Sequence, residues 1–377
     1  MSVSGQAGYI SFAVQTAKVG DGTFDPAAIA WLNHRALGAD VAFQQFVDQV
    51  PPELGAGLFT AGSFKAGAYV AGGMALNARL DNAIAALLYG ASGKATVGTA
   101  QVAGASSGST IYSVDPADDT SMPWMALRKV IPGDTPEGYQ EEFYYDCRVA
   151  ALSITVPQMG MMTHELAFVG RVPEWIDGKP VAGAVIGTAP VFGAPFESAA
   201  SVGQSAEGSI SLPGFTSDEL PGGGQFTSAQ VILANQLSTP QEEMVIGSYH
   251  PVDFTPLSRG ALVRLVYRWK DATLYRALHM LAASGGAPNI RKWNPVTKSS
   301  DVHVISQSQG LVPTFTNKHK FDFYAPSADW VMSPVQLAPK KLLQVEIIGT
   351  IKQAASGVAS WQTQLWNAGA LNAIYTA

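Results

Sequence analysis

Two stretches of this chain repeat one grammar. The first, "GAYVAGGMALNARLDNAIAALLYGASG", runs from Gly67 to Gly93, and the second, "GALVRLVYRWKDATLYRALHMLAASG", from Gly260 to Gly285. Both open Gly-Ala-x-Val and both end Ala-Ser-Gly. Between those ends, Leu80, Ala83, Ile84 and Leu87 recur at the same mutual spacing as Leu274, Ala277, Leu278 and Leu281. In each stretch apolar residues first alternate, which predicts a half-buried strand. Ala68, Val70, Met74, Leu76 and Ala78 share one face of the first strand, and Ala261, Val263, Leu265, Tyr267 and Trp269 share one face of the second. The period then lengthens to that of a helix. Asp81 or Asn82 can cap the first helix and Asp271 precedes the second, while Gly90 or Gly93 and then Gly285 can end them. A helix of about three turns is marginal alone in water, so each must lie against a sheet.

Further strand patterns follow each helix. "STIYSV", "WMALRKV", "EEFYYDCRVAALSITV" and "THELAFVG" come after the first, and "DVHVISQ", "HKFDFYA", "KLLQVEIIGTI" and "SWQTQLW" after the second. A mainly β chain is therefore expected, with two β units of one flanking helix each, related by internal duplication. The boundary falls within 172–185, giving units over 1–175 and 176–377, the second opening on a Gly- and Pro-rich linking segment to about 225. Only 14% of residues are charged, although the chain has 377 residues, 38 of them Gly and 23 Pro. So few charges on a turn-rich β chain point to a surface largely covered by other copies.

The catalytic patterns in the chain do not meet their structural requirements. "GASSG" would make Ser106 a nucleophile, but a strand pattern follows it where a nucleophile elbow needs a helix. "GASGKAT" resembles a phosphate loop, yet Leu88 stands where the first Gly belongs and Ala95 where a magnesium-holding hydroxyl belongs. His164 lacks the second His of a zinc helix, and Asp115, Asp118 and Asp119 read as a solvated loop. Cys147 is the only cysteine, which excludes an intramolecular disulfide and suits a buried thiol in a strand. No enzyme, metal or cofactor is expected. The opening "MSVSGQAGYISF" has no basic head before an apolar run, and no apolar run reaches membrane-spanning length, so assembly in a cytoplasm is expected.

The order of several segments resembles the major tail tube proteins of long-tailed, non-contractile bacteriophages. These segments are "GYISFAVQTAKVGDGT", "PPELGAG", the strand–helix from Lys65, "YDCRVAALSITVPQMGMMTHELAFVGR", "KFDFYAPSADWVMSP", "LLQVEIIGTIKQ" and the terminal "WQTQLWNAGALNAIY". The resemblance spans nearly the whole chain and is weakest over 173–225. It implies sandwich or barrel-like units that close into rings, which stack into a tube in a virion tail. It also implies terminator, distal tail and tape-measure proteins as partners, and passage of DNA through the lumen without specific binding. Edge strands would then pair with neighbours rather than remain a liability. If the units are copies, three chains make a pseudo-sixfold ring; otherwise six chains are needed. The alternatives are a tube component of a bacterial contractile injection or secretion machine, and a β-rich ligand-binding protein.

Within that frame, 18–60 is expected to act as an inter-ring arm, because its periodicity is weak and two prolines interrupt it, with Phe43, Phe46, Leu54 and Phe59 as anchors. From Asp115 to Asp146 there are eight acids against Arg128 and Lys129 alone. Glu141 and Glu142 are therefore candidate lumen acids, since a negative wall repels phosphate and lets a duplex slide. Arg264, Arg268 and Lys270 are candidate interface bases.

Overall fold

The computed structural model describes residues 8–20, 22–26, 29, 31–33, 36–49, 62–80, 82–98, 110–116, 122–135, 140–177, 203–220, 225–280, 292–311, 318–335, 342–353 and 359–367. The first half of the chain holds β1 (Tyr9–Val14), β2 (Leu32–Asn33), β3 (Ala36–Ala39), β4 (Ala42–Gln49), β5 (Ser63–Asn77), α1 (Asn82–Ser92), β6 (Gly93–Gly98), β7 (Thr110–Pro116), β8 (Met125–Ile131), β9 (Gln140–Val156), β10 (Thr163–Gly170) and β11 (Val172–Asp177). The second half holds β12 (Gly203–Ser211), β13 (Phe226–Leu237), β14 (Pro256–Arg268), α2 (Thr273–His279), β15 (Lys298–Leu311), β16 (Lys318–Met332), β17 (Gln344–Ile351) and β18 (Gln362–Asn367). The protein is mainly β, and the strand pairings described are antiparallel.

The two halves pair their strands in the same order. In the first, β1 pairs β8 and β8 pairs β9; β9 carries β11 on its N-terminal part and β10 on its C-terminal part; β10 pairs β5, which pairs β4. In the second, β12 pairs β15 and β15 pairs β16; β16 carries β18 on its N-terminal part and β17 on its C-terminal part; β17 pairs β14, which pairs β13. The helix follows β5 in one half and β14 in the other. The register agrees too: Val70 faces Gly170, and Val263 faces Gly349. The first half adds β2 on β1, β3 on β5, and a β6–β7 hairpin after its helix. Because β11 pairs β9, the strands of the first half run to Asp177, just past the expected unit end.

Alternation at the two opening strands follows the sequence pattern. Val70, Met74 and Leu76 are buried on β5, and Ala261, Val263, Leu265 and Tyr267 on β14. The helices differ from expectation. The helical spacing of Ala83, Ile84 and Leu87 marks one apolar stripe on α1, but Ala83, Ile84, Ala85, Ala86, Leu87, Leu88 and Ala91 are all buried. The reason is that α1 packs on β9, the β6–β7 hairpin, and also β13 and β18 of the second half; a helix apolar all round belongs inside a core. Gly90 does not end it. A Cβ there would lie 3.1 Å from both Met125 Sδ and Val149 Cγ2, so glycine allows close packing, and Gly93, at φ 77°, makes the stop. The second helix is shorter than expected. Asp271 Oδ1 accepts the Thr273 N–H at 2.8 Å, Leu274 and Leu278 are buried, and Met280 turns extended to bridge Trp293. Leu281 and Gly285 lie outside the described residues.

One apolar cluster runs from Ile10 to Leu365 and draws on both halves, and a smaller one joins Phe24, Ala126, Phe143 and Tyr145. The halves are joined because β13 pairs β9 from Ala229 opposite Val156 to Ala234 opposite Ala151, and β18 pairs β7. No helix among the described residues is long and apolar enough to cross a membrane.

Candidate assembly site

The seam between the halves carries a set of polar contacts from one half to the other. A helix leaves its last carbonyls without intrahelical donors, and the second half supplies those of α1. Asn235 of β13, 5% exposed, donates from Nδ2 to the Ala91 carbonyl and to the Val149 carbonyl, each at 2.9 Å. Arg259 Nη1 donates to the Ser92 carbonyl at 2.8 Å. Gln230 Nε2 donates to Ser153 Oγ at 2.9 Å.

The connection from β13 to β14, residues 238–255, lies across the first half like a clasp. The Ala68 N–H donates to the Tyr249 carbonyl at 2.8 Å, and Arg171 Nε to the Pro251 carbonyl at 2.7 Å. Asp253 lies 3.4 Å from Arg148 Nη2 and 3.7 Å from Lys18 Nζ. The Arg148 guanidinium sits 3.9 Å from the centre of the Trp124 ring, a cation–π contact. Burial pulls the Arg148 pKa down, and the acids Asp253 and Glu243 oppose this. The clasp holds itself together. Thr239 N–H donates to Glu242 Oε2 at 2.8 Å, Ser238 Oγ donates to Glu243 Oε1 at 2.6 Å, and the Thr255 N–H donates to Ser238 Oγ at 2.7 Å. Sequence reasoning passed over this connection and over Asn235. The signal that could have found the clasp is Thr239 followed three residues later by Glu242, a capping-box pattern.

Asp146 stands where β9 changes partners, with φ 51° and no exposure. It accepts from Gln15 Nε2 at 3.1 Å and from the N–H groups of Val19 and Gly20 at 2.8 and 2.9 Å, and lies 3.9 Å from Arg171 Nη1. This fixes the chain after β1 against the bend in β9. The neighbouring Cys147 is fully buried, and burial raises its thiol pKa.

The structure places the expected site residues as follows. Glu141 is 3% exposed and accepts from Arg128 Nε at 2.9 Å, so its charge is enclosed and matched. Glu142 lies 3.4 Å from Lys129 Nζ and accepts from the Tyr144 hydroxyl. Burial, and then Glu142, push the Tyr144 pKa up. Both bases of the acidic stretch are thus engaged by these two acids. Arg264 pairs with Glu346 at 3.9 Å across β14 and β17, with both side chains exposed. Arg268 is exposed at the end of β14 and lines a cavity of about 390 Å³ with Val156, Ser205, Ser209 and Phe226, at the seam. Lys270 is exposed just beyond the strand. Phe43 meets Trp175 edge-on at 5.8 Å and Phe46 stacks on Tyr69 at 5.1 Å, so both have intramolecular partners on or beside β4. Leu54 and Phe59 lie outside the described residues.

No protein-family model matches the chain, and no curated protein matches it in sequence.

Proposed function

We propose that this chain is a structural subunit that closes into rings and stacks into a tube, the major tail tube protein of a long-tailed phage virion, built by internal duplication of one β unit. The observation that carries the reading is the strand order that recurs in both halves, joined by a seam in which one half serves the other. Two halves with one strand order, joined through the edges of β13 and β9, fit the reading of one chain as a ring segment. The low share of charge, 14%, fits a surface covered by neighbours and by adjacent rings. The sequence resemblance supplies the tail tube assignment, with DNA passing through the lumen and terminator, distal tail and tape-measure proteins as partners. Three chains then make a pseudo-sixfold ring.

Negative-stain microscopy of the purified protein tests this. Rings or tubes with a central channel are expected, with three chains per ring. Dispersed single chains at high concentration would overturn the reading, and six chains per ring would overturn the duplication as the basis of its symmetry.

A further inference from the structure

Positions matched by register in the two halves have different surroundings. Gly67 on β5 pairs Phe46 of β4, and Gly260 on β14 pairs Ala234 of β13. Gly67 is buried: a Cβ there would overlap Met244 Cε of the clasp and lie 3.3 Å from the Tyr249 carbonyl oxygen. Gly260 is exposed, and a Cβ there would meet nothing within 4 Å among the described residues. Arg148 of β9 and Val331 of β16 are matched in the same way, since Arg148 faces Val169 and Val331 faces Ile348. Arg148 is 7% exposed under Asp253 of the clasp, whereas Val331 is 51% exposed. Among the described residues, the side of the first half that the second half covers is therefore open at the matched positions of the second half.

The complementary element is open as well among the described residues. β13 uses one edge on β14 and the other on β9. Its counterpart β4 pairs only β5 among the described residues, and Val47 on it is 59% exposed. Among the described residues, one chain thus holds a complete seam, an open acceptor side around Gly260 and Val331, and an open donor edge on β4.

We propose that a second copy of this chain brings the outer edge of β4 to the end of β16 at Val331, beside Gly260 of β14, repeating between chains the seam that β13 makes with β9 within one. The contact is head-to-tail, so each copy offers one face of each kind and closure produces a ring. Unpaired strand edge and exposed Val47 and Val331 are the surfaces that such docking removes from water. This inference rests on the ring-subunit reading and assigns its contact residues.

Gly260→Arg and Val331→Asp block the acceptor side, and Val47→Arg blocks the donor edge. All three sites are exposed, so each variant is expected to keep the thermal midpoint of a wild-type sample held as single chains. By analytical ultracentrifugation, wild type is expected to form species heavier than the 39.6 kDa chain. Each variant is expected to associate at least tenfold more weakly. Mixing Gly260→Arg with Val47→Arg should restore association but stop at two chains, because only one intact donor and one intact acceptor then meet. Rings formed equally well by wild type and by both acceptor variants would overturn this docking site while leaving the ring-subunit reading standing. Wild type that stays a single chain at high concentration would overturn both.

Discussion

Replacing Asn235 tests whether the seam is an integral part of the fold. Its amide is 5% exposed and serves two carbonyls at 2.9 Å, one at the end of α1 and one on β9. Neither carbonyl can turn to water without opening the seam. A neutral hydrogen bond contributes about 1 kcal/mol net, and a buried acceptor left without a donor costs about 1–3 kcal/mol. Asn235→Ala is therefore expected to lose about 2–3 kcal/mol, after allowing for the second lone pair and partial relaxation. Asn235→Asp should lose more, because a carboxylate cannot donate and would face two carbonyl oxygens at the negative end of the helix. Urea unfolding followed by intrinsic fluorescence measures both. The midpoint should fall in the order wild type, Ala, Asp, with an unchanged slope, since the surface exposed on unfolding is the same. An Ala variant within about 0.5 kcal/mol of wild type, the range of an ordinary surface substitution, would refute the reasoning. So would an Asp variant no worse than Ala.

Three further outcomes follow from the same geometry. Arg128→Met should destabilise by about 3–5 kcal/mol, because it strands the enclosed Glu141 charge, while the double replacement Arg128→Met with Glu141→Leu should recover much of that loss in a thermal melt. Gly73→Ala places a Cβ 2.5 Å from the Leu166 carbonyl oxygen and should sharply reduce soluble yield and melting temperature, whereas Gly260→Ala, with nothing described within 4 Å, should stay near wild type. Burial raises the Glu243 pKa, but bonds from Ser238 and Thr255 and the charge of Lys18 outweigh it and hold the carboxyl below its usual range. A depressed carboxylate stabilises fully above its unfolded pKa, about 4.3, and that contribution is lost as pH falls through the lower folded value. Hydrogen exchange in 238–255, corrected for intrinsic rates, should therefore quicken below about pH 4 and be flat from about pH 5 to 7; a flat profile down to acid would count against the clasp's carboxylate anchor.

The strand–helix grammar was legible because one face of each opening strand is buried and the other is not. Val70, Met74 and Leu76 on β5, and Val263, Leu265 and Tyr267 on β14, carry the alternation that buried faces require. Legibility failed where both faces are enclosed. From Phe143 to Val149 every residue of β9 is buried, so alternation vanishes and an acid such as Glu141 just before it reads as surface charge when it is one member of an enclosed pair. Asp146 shows the same limit: its role depends on Gln15, Val19, Gly20 and Arg171, brought together by the pairing of β1 with β8 and of β8, β10 and β11 with β9. The order of strands was hidden for a related reason. Periodicity tells which side of a strand is apolar, not which edge it meets, and β13 on β9 is an edge choice across the chain. Gly67 and Gly260 mark the sharpest case. They sit in the same local sentence, Gly-Ala-x-Val, yet one is covered and the other open. The shared Gly-Ala-x-Val does not tell them apart; what each half of the chain packs against does. Two like units joined once use one acceptor side and one donor edge, and leave one of each at the ends. On the proposed ring-subunit reading, a covered Gly67 with an open Gly260 is what a ring segment of finite length must have, and the edge of β4 that is open among the described residues is the other half of the same consequence.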